Sequence, residues 1–237
     1  MRPKNEIHII NEGHLVECED GRVSANGTAT LVQSKLGINI VIDTSGPWVK
    51  DKIERQITKK HKIGLDEVHY VVCTHAHPDQ IGNLNLFQKA IIILGYDIMH
   101  PGGTFGFHDF KNNKPFKITN TIDVIGTPGH TDLDLSVVVR ETDEGTVAIT
   151  GDLFINADDI EEEEIWRSNS TYPELQEEHR NKILRDCDVI IPGHGPAFRV
   201  DEFELVHDDS PTQQRTKQPI GNSIASTSVT RAPATQR

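Results

Sequence analysis

Cysteine is scarce in this chain: Cys18, Cys73 and Cys187 are its three, odd in number and widely separated. That inventory suits neither a disulfide framework nor a thiolate zinc cage, and points to a reducing compartment. Aromatic residues make up only 5% of the 237 residues. No uninterrupted apolar stretch approaches the roughly 20 residues a membrane span needs. The opening segment MRPKNEIHIINEG lacks an apolar signal core, so the chain reads as soluble, without a membrane partner, and intracellular. Basic residues are also few, 24 against 36 acidic, for a formal net charge of −12. Such a balance repels polyanions at long range and leaves no broad basic face for a phosphate backbone.

What is present fits one mixed domain with a full core. Residues 1–207 read as a folded body. Residues 208–237, rich in Ser, Thr, Pro and Gln, have too few large apolar groups to offset the entropy of ordering and read as a disordered tail. The segments EIHII, TATLV and INIVIDT are apolar over strand length, with Asn26-Gly27 as a turn signal between the first two. PWVKDKIERQITKKHK follows with helix length and Pro47 at its start. VHYVVC and AIIILG are further strands flanking a short helix in IGNLNLFQKA, and residues 101–106 form a glycine-rich loop. FKIT, IDVIGT, LSVVVRE and GTVAITGD make a second group of strands. The acidic run ADDIEEEE reads as a solvated loop. A last helix begins near Thr171, where Thr171 and Glu174 have capping-box spacing, and DVIIPGHG closes the body. The fold class is therefore α/β, with two sheets covered by helices.

Four of these strands run out into metal-capable residues: Cys73 leads to His75, Thr127 to His130, Thr150 to Asp152 and Pro192 to His194. Strand-to-loop junctions let a rigid sheet present ligands at one point. The stretch HAHPD adds His77 and Asp79 at alternate positions. Imidazole suits zinc and iron, and carboxylate suits zinc, iron or manganese. The inventory His75, His77, Asp79, His130, Asp152 and His194 is thus able to supply two adjacent ions. Gly129, Gly151, Gly193 and Gly195 let backbone pass close by. Asp43, at another strand end, is either a simple turn residue or a partner that orients a ligand. Cys73, inside an apolar run, reads as core. Most of the other histidines, such as His8, His61 and His179, need no special role.

The stretches THAHPDQIGN, TPGHTDLDLSVVV, TGDLF and PGHGP resemble, in order, the motifs of the metallo-β-lactamase superfamily. The resemblance covers roughly residues 7–200 and is to a compact member without the extra domain of the larger nucleases. It implies a single-domain αββα sandwich. It also implies that His75, His77 and His130 hold a first metal, that Asp79 and His194 hold a second, and that Asp152 bridges them. The position after Asp79, usually a second-site histidine, is Gln80 here. A neutral amide oxygen is a weaker zinc ligand than imidazole, so Gln80 is at most a weak second-site ligand.

The expected activity is metal-dependent hydrolysis with zinc, one ion or two, and with iron or manganese as alternatives. His77 and Asp79 are the expected catalytic pair, Asp79 positioning the nucleophile or accepting its proton. The resemblance implies an endoribonuclease acting on the 3′ ends of histone precursor RNA, in cytosol and nucleus, and a homodimer. Three alternatives stand beside it. One is a small-molecule thioester or lactone hydrolase of glyoxalase II type. Another is a mono-iron persulfide dioxygenase using His75, His130 and Asp152. The third is a degenerate metal-binding scaffold.

Overall fold

The computed structural model describes residues 3–110 and 114–203. The expected tail from Asp208 lies outside the described residues. The first sheet opens with β1 (Glu6–Asn11). A separate hairpin follows, formed by β2 (His14–Glu17) and β3 (Val23–Asn26). The sheet resumes with β4 (Ala29–Gln33) and β5 (Asn39–Ile42). After α1 (Lys50–Arg55) come β6 (Tyr70–Cys73), α2 (Pro78–Ile81), β7 (Ile91–Leu94), β8 (Asp97–His100) and β9 (Thr104–Phe107). Its order is β1-β4-β5-β6-β7-β8-β9, with β5, β6 and β7 parallel.

The second sheet comprises β10 (Phe116–Lys117), β11 (Ile122–Gly126), β12 (Leu135–Thr142) and β13 (Gly145–Gly151). The helices α3 (Glu164–Arg167) and α4 (Pro173–Asp186) then carry the chain to β14 (Val189–Pro192) and β15 (Phe198–Arg199). Its order is sequential from β10 to β15, antiparallel except for the β13/β14 pair, and a parallel pair requires such a crossover.

Period-two alternation explains the layers. On β5, Ile40 and Ile42 face the space between the sheets while Val41 faces outward. On β12, Val137 and Val139 face inward and Val138 outward. Inward residues of both sheets form one core, with Ile93 of the first sheet in the same cluster as Ile122 and Ile149 of the second. The outer face of the first sheet is covered by Ile53 and Ile57 of the α1 region, and that of the second by Ile183 and Leu184 of α4. The result is the expected αββα single domain. Because β11, β13 and β14 run in one direction, their carboxyl ends share an edge of the second sheet.

Several local expectations are corrected. Asn26-Gly27 does not join the first two strands of the sheet, because the β2–β3 hairpin intervenes. The helix after Pro47 is α-helical only over Lys50–Arg55 and widens into a π turn at Gln56–Lys60. Residues 101–106 are not a loop: only 101–103 turn, and Thr104–Phe107 pairs with β8. The acidic run is not wholly solvated. Asp159 is fully buried and takes the Arg180 guanidinium at 2.7 Å, with Arg180 lying over Phe154 at 4.1 Å. Thr171 does not cap α4, which has Pro173 in its first turn. The Thr171 hydroxyl instead donates to the His130 carbonyl at 2.7 Å. His179 has a structural role after all, its Nδ1 lying 2.8 Å from the Pro128 carbonyl.

Candidate metal centre

His75, Asp152 and His194 follow their strands within two residues and His130 within four, and hydrogen bonds hold the turns that carry them. After β6, Thr74 gives its N–H and its hydroxyl to the two oxygens of Asp43, both at 2.8 Å. Asp43 is buried and has a left-handed φ of 53°. Burial pushes its carboxyl up to about 8, against the two Thr74 bonds. His77 lies at the amino end of α2, so Asp79 and Gln80 project from the first turn of a helix and not from an extended turn. The His130 turn is tied by Asp134. Its carbonyl accepts the Thr127 N–H at 2.8 Å, and its carboxylate takes the Thr131 N–H at 2.6 Å and the Thr131 hydroxyl. Burial pushes Asp134 up to about 7, the Thr131 bonds opposing. After β14, His194 Nδ1 lies 3.1 and 3.2 Å from the carbonyls of His14 and Asn26, so it donates and Nε2 faces inward.

His75, His77, His130 and Asp152 come together with one ligand atom each, all within 4.8 Å of one another. His75 Nε2 is 2.9 Å from His77 Nδ1, and His130 Nε2 is 3.1 Å from the same atom. Asp152 Oδ2 is 3.7 Å from His75 Nε2 and 3.5 Å from His130 Nε2. The same oxygen is 3.3 Å from His194 Nε2, which is in turn 3.7 Å from Asp79 Oδ2. Asp152 therefore stands between the two expected ligand sets. His75, His130, Asp152 and His194 are buried; His77 is exposed and forms the open side.

The donors fit a divalent cation. Thr74 spends its hydroxyl proton on Asp43, so its oxygen, 3.1 Å from His75 Nδ1, accepts the N–H there. His75 Nε2 then presents a lone pair, as a metal-ligating histidine does. A single proton on His77 Nδ1 is unable to satisfy both facing ring nitrogens. A tetrahedral zinc with bonds of about 2.0–2.1 Å separates its nitrogens by roughly 3.3 Å, close to the spacing found. Burial lowers the His75 imidazole to about 3, against the pull of Asp152, and also lowers His130. Both are neutral donors near pH 7. Burial works against a charged Asp152, but His194, His75 and His130 outweigh it and hold the carboxylate well below its usual range. Burial would lower His194 too, yet Asp152 and Asp79 lift it to about 9.

Two glycines give the centre its room. A β-carbon on Gly193 would strike the Asp152 carboxylate, and one on Gly151, at φ 53°, would strike the Thr74 side chain. Gln80 is fully buried, its Nε2 3.0 Å from Asp152 Oδ1. Sequence reasoning missed Asp134, although a second aspartate four residues after His130 is an Asx-turn signal. It also missed the His14 and Asn26 carbonyls, for which no residue type is a marker.

A sequence profile of the metallo-β-lactamase superfamily matches residues 25–105. Metallo-β-lactamase domain-containing protein 1 of Xenopus laevis is 39% identical over 198 residues, which cover 83% of this chain and 82% of that protein. The protein of the same name in Homo sapiens is 37% identical over 183 residues, covering 77% and 67%. The solved structure of an N-acyl homoserine lactone hydrolase, with its product bound at the catalytic metal centre, aligns with a TM-score of 0.57. It is 14% identical and covers 82% of this chain and 93% of that one, a likeness of fold. This chain belongs to the metallo-β-lactamase superfamily and has its metal-dependent hydrolase fold. Its curated relatives at this level of identity carry the name metallo-β-lactamase domain-containing protein 1. No helix among the described residues is long and apolar enough to cross a membrane.

Proposed function

We propose that this chain is a zinc-dependent endoribonuclease that hydrolyses a phosphodiester near the 3′ ends of histone precursor RNA. The reaction class is carried by one observation, the convergence of His75, His77, His130 and Asp152 within 4.8 Å. The choice of RNA rests on the resemblance of VIDTSGPWVKD, HPDQIGNLNLF and IIPGHGPAFRV to metallo-β-lactamase domain-containing protein 1, and it takes the chain as a homodimer of cytosol and nucleus.

A bound zinc would supply Lewis-acid polarisation and bring the pKa of water toward neutrality. The chain's own residues do the rest. Neutral His75 and His130 keep their inward nitrogens free of protons. Asp152 offers a charged oxygen in a dry setting. Asp79, partly exposed beside His194, accepts the proton released by the attacking water. Substrate reaches the centre on the exposed His77 side.

A second reading, hydrolysis of a small thioester or lactone, is favoured by charge. The Asp152 carboxylate is held ionised among the histidines, with Asp79 beside His194, and the chain carries a net −12, a poor field for a polyanion. The deciding experiment gives the zinc-loaded full chain a histone precursor RNA end and, separately, thioester and lactone substrates over a range of salt. RNA cleavage that falls steeply with salt supports the first reading. Salt-insensitive thioester or lactone turnover with intact RNA replaces it by the second. Iron with oxygen uptake would overturn both. Light scattering on the purified chain checks the dimer.

A further inference from the structure

Gln80 is buried completely, yet it hydrogen-bonds the metal centre from a direction that no ligand would choose. Its side-chain Nε2 is 3.0 Å from Asp152 Oδ1. An ionised carboxylate only accepts, so the amide must turn its NH2 toward Asp152. The amide oxygen therefore points away. It is buried without a partner, against Gly27, whose backbone comes so close that a β-carbon there would strike the amide. The backbone of Gln80 is held as firmly: its N–H donates to the His77 carbonyl at 3.0 Å, and its own carbonyl accepts from Thr44 N at 2.6 Å. Exchanging the amide's two ends would set its oxygen against a carboxylate oxygen.

This arrangement makes the two ligand sets unequal. With Oδ1 engaged by Gln80, Asp152 has Oδ2 left for ions. That oxygen completes a four-donor set with His75 Nε2, His77 Nδ1 and His130 Nε2. On its other side stand, among the described residues, His194 Nε2 and Asp79 Oδ2, 3.7 Å apart. The second position thus has two donors of its own and a shared one, and Gln80, whose NH2 is turned to Asp152, adds no ligand atom to it.

We infer that Gln80 sets the nuclearity of the centre: one ion is held tightly by His75, His77, His130 and Asp152, and the position between Asp79 and His194 binds a second ion weakly. Gln80 acts as a positioning residue that fixes which Asp152 oxygen is offered. The inference rests on the hydrolase reading only in taking the centre as metal-binding, and its test does not depend on turnover.

The experiment is metal content per chain by elemental analysis, with the absorption spectrum of the cobalt-substituted protein. Full-length wild type, Gln80→His and Gln80→Glu are compared after dialysis against a chelator of moderate affinity. Wild type is expected to keep one ion, and a folded Gln80→His variant to approach two. Gln80→Glu retains the shape of the amide and adds a ligand oxygen, so it covers the case in which the imidazole does not fit beside Gly27. Two ions retained by wild type overturn the inference, as does a single ion in every folded variant. No ion in wild type overturns the metal centre itself. One ion rising to two, with no hydrolysis of any substrate, leaves the inference standing and removes the hydrolase reading.

Discussion

Asp43 and Thr74 are joined by two hydrogen bonds of 2.8 Å, one from the Thr74 amide and one from its hydroxyl, immediately before His75 leaves the sheet. The carboxylate thereby fixes both the path of the backbone and, through the Thr74 oxygen, the tautomer of His75. Asn tolerates the left-handed backbone at this position but offers a single acceptor oxygen. Asp43→Asn is expected to lower metal affinity by about 10–100-fold, in line with other residues that orient a ligating histidine. Competition against a fluorescent zinc chelator measures it, with circular dichroism as the control for folding.

His77 and Asp79 are separable. His77→Ala removes one nitrogen from the four-donor set and is expected to abolish both tight metal binding and turnover. Asp79→Ala leaves that set intact, so the tight ion should stay while turnover falls about 10²–10⁴-fold, the usual contribution of a positioned proton acceptor. Metal analysis beside steady-state rates separates the two variants. Loss of the tight ion in Asp79→Ala would place Asp79 among its ligands instead.

Arg180 and Asp159 form a buried pair under α4. Arg180 also donates to the Leu153 carbonyl at 2.8 Å, one residue beyond Asp152, so the pair supports the wall of the centre. Arg180→Ala leaves a carboxylate in the core without its partner and is expected to cost about 3–5 kcal/mol. For a chain of this size that corresponds to a Tm lower by roughly 6–20 °C. Calorimetry on metal-loaded protein is the check. The double variant Arg180→Met with Asp159→Asn should recover part of the loss.

Burial raises the Cys73 thiol well above its ordinary range and pushes Cys187 up to about 12. Only Cys18 is exposed. A thiol reagent at pH 8 should therefore label one cysteine quickly and the other two after denaturation. The sign of the alkaline dependence follows from linkage. Between pH 9 and 12 the unfolded chain releases the Cys187 proton while the folded chain keeps it, so stability falls as pH rises across that window. Cys187→Val should make the fall shallower in urea titrations at pH 8 and pH 10.

The sandwich and the ligand inventory were legible because they depend on residue type and spacing. Alternation on β5, β6 and β12 set the layers; TPGH, TGD and PGHG sit at strand ends that the β11, β13 and β14 directions place on one edge, and HAHPD follows β6 of the facing sheet. Contacts between distant segments were not legible. Thr171 has capping-box spacing, yet its hydroxyl belongs to the His130 carbonyl, because Pro173 begins the helix without it. Asp159 sits in a run of acids whose neighbours are solvated, and only the fold reveals Arg180 beneath it. The glycines at 102 and 103, both at positive φ, read as a loop because a tight turn and a longer loop share the same composition. Gln80 was visible as a departure. Its direction, with the amide N–H toward Asp152, was not.

The parallel pairing of β13 with β14 gives the centre a place in the life of the chain. His194 follows a helical crossover, and its ring is held by carbonyls of His14 and Asn26, 180 and 168 residues earlier in the chain. Its Nε2 stands against Asp152, which itself waits for β14 to align β13. The four-donor set draws its ligands from residues only as far as Asp152, but β14 aligns the strand that carries Asp152, so both sides depend on nearly the whole described chain. The two ion positions are therefore completed by the same step, the entry of β14 beside β13.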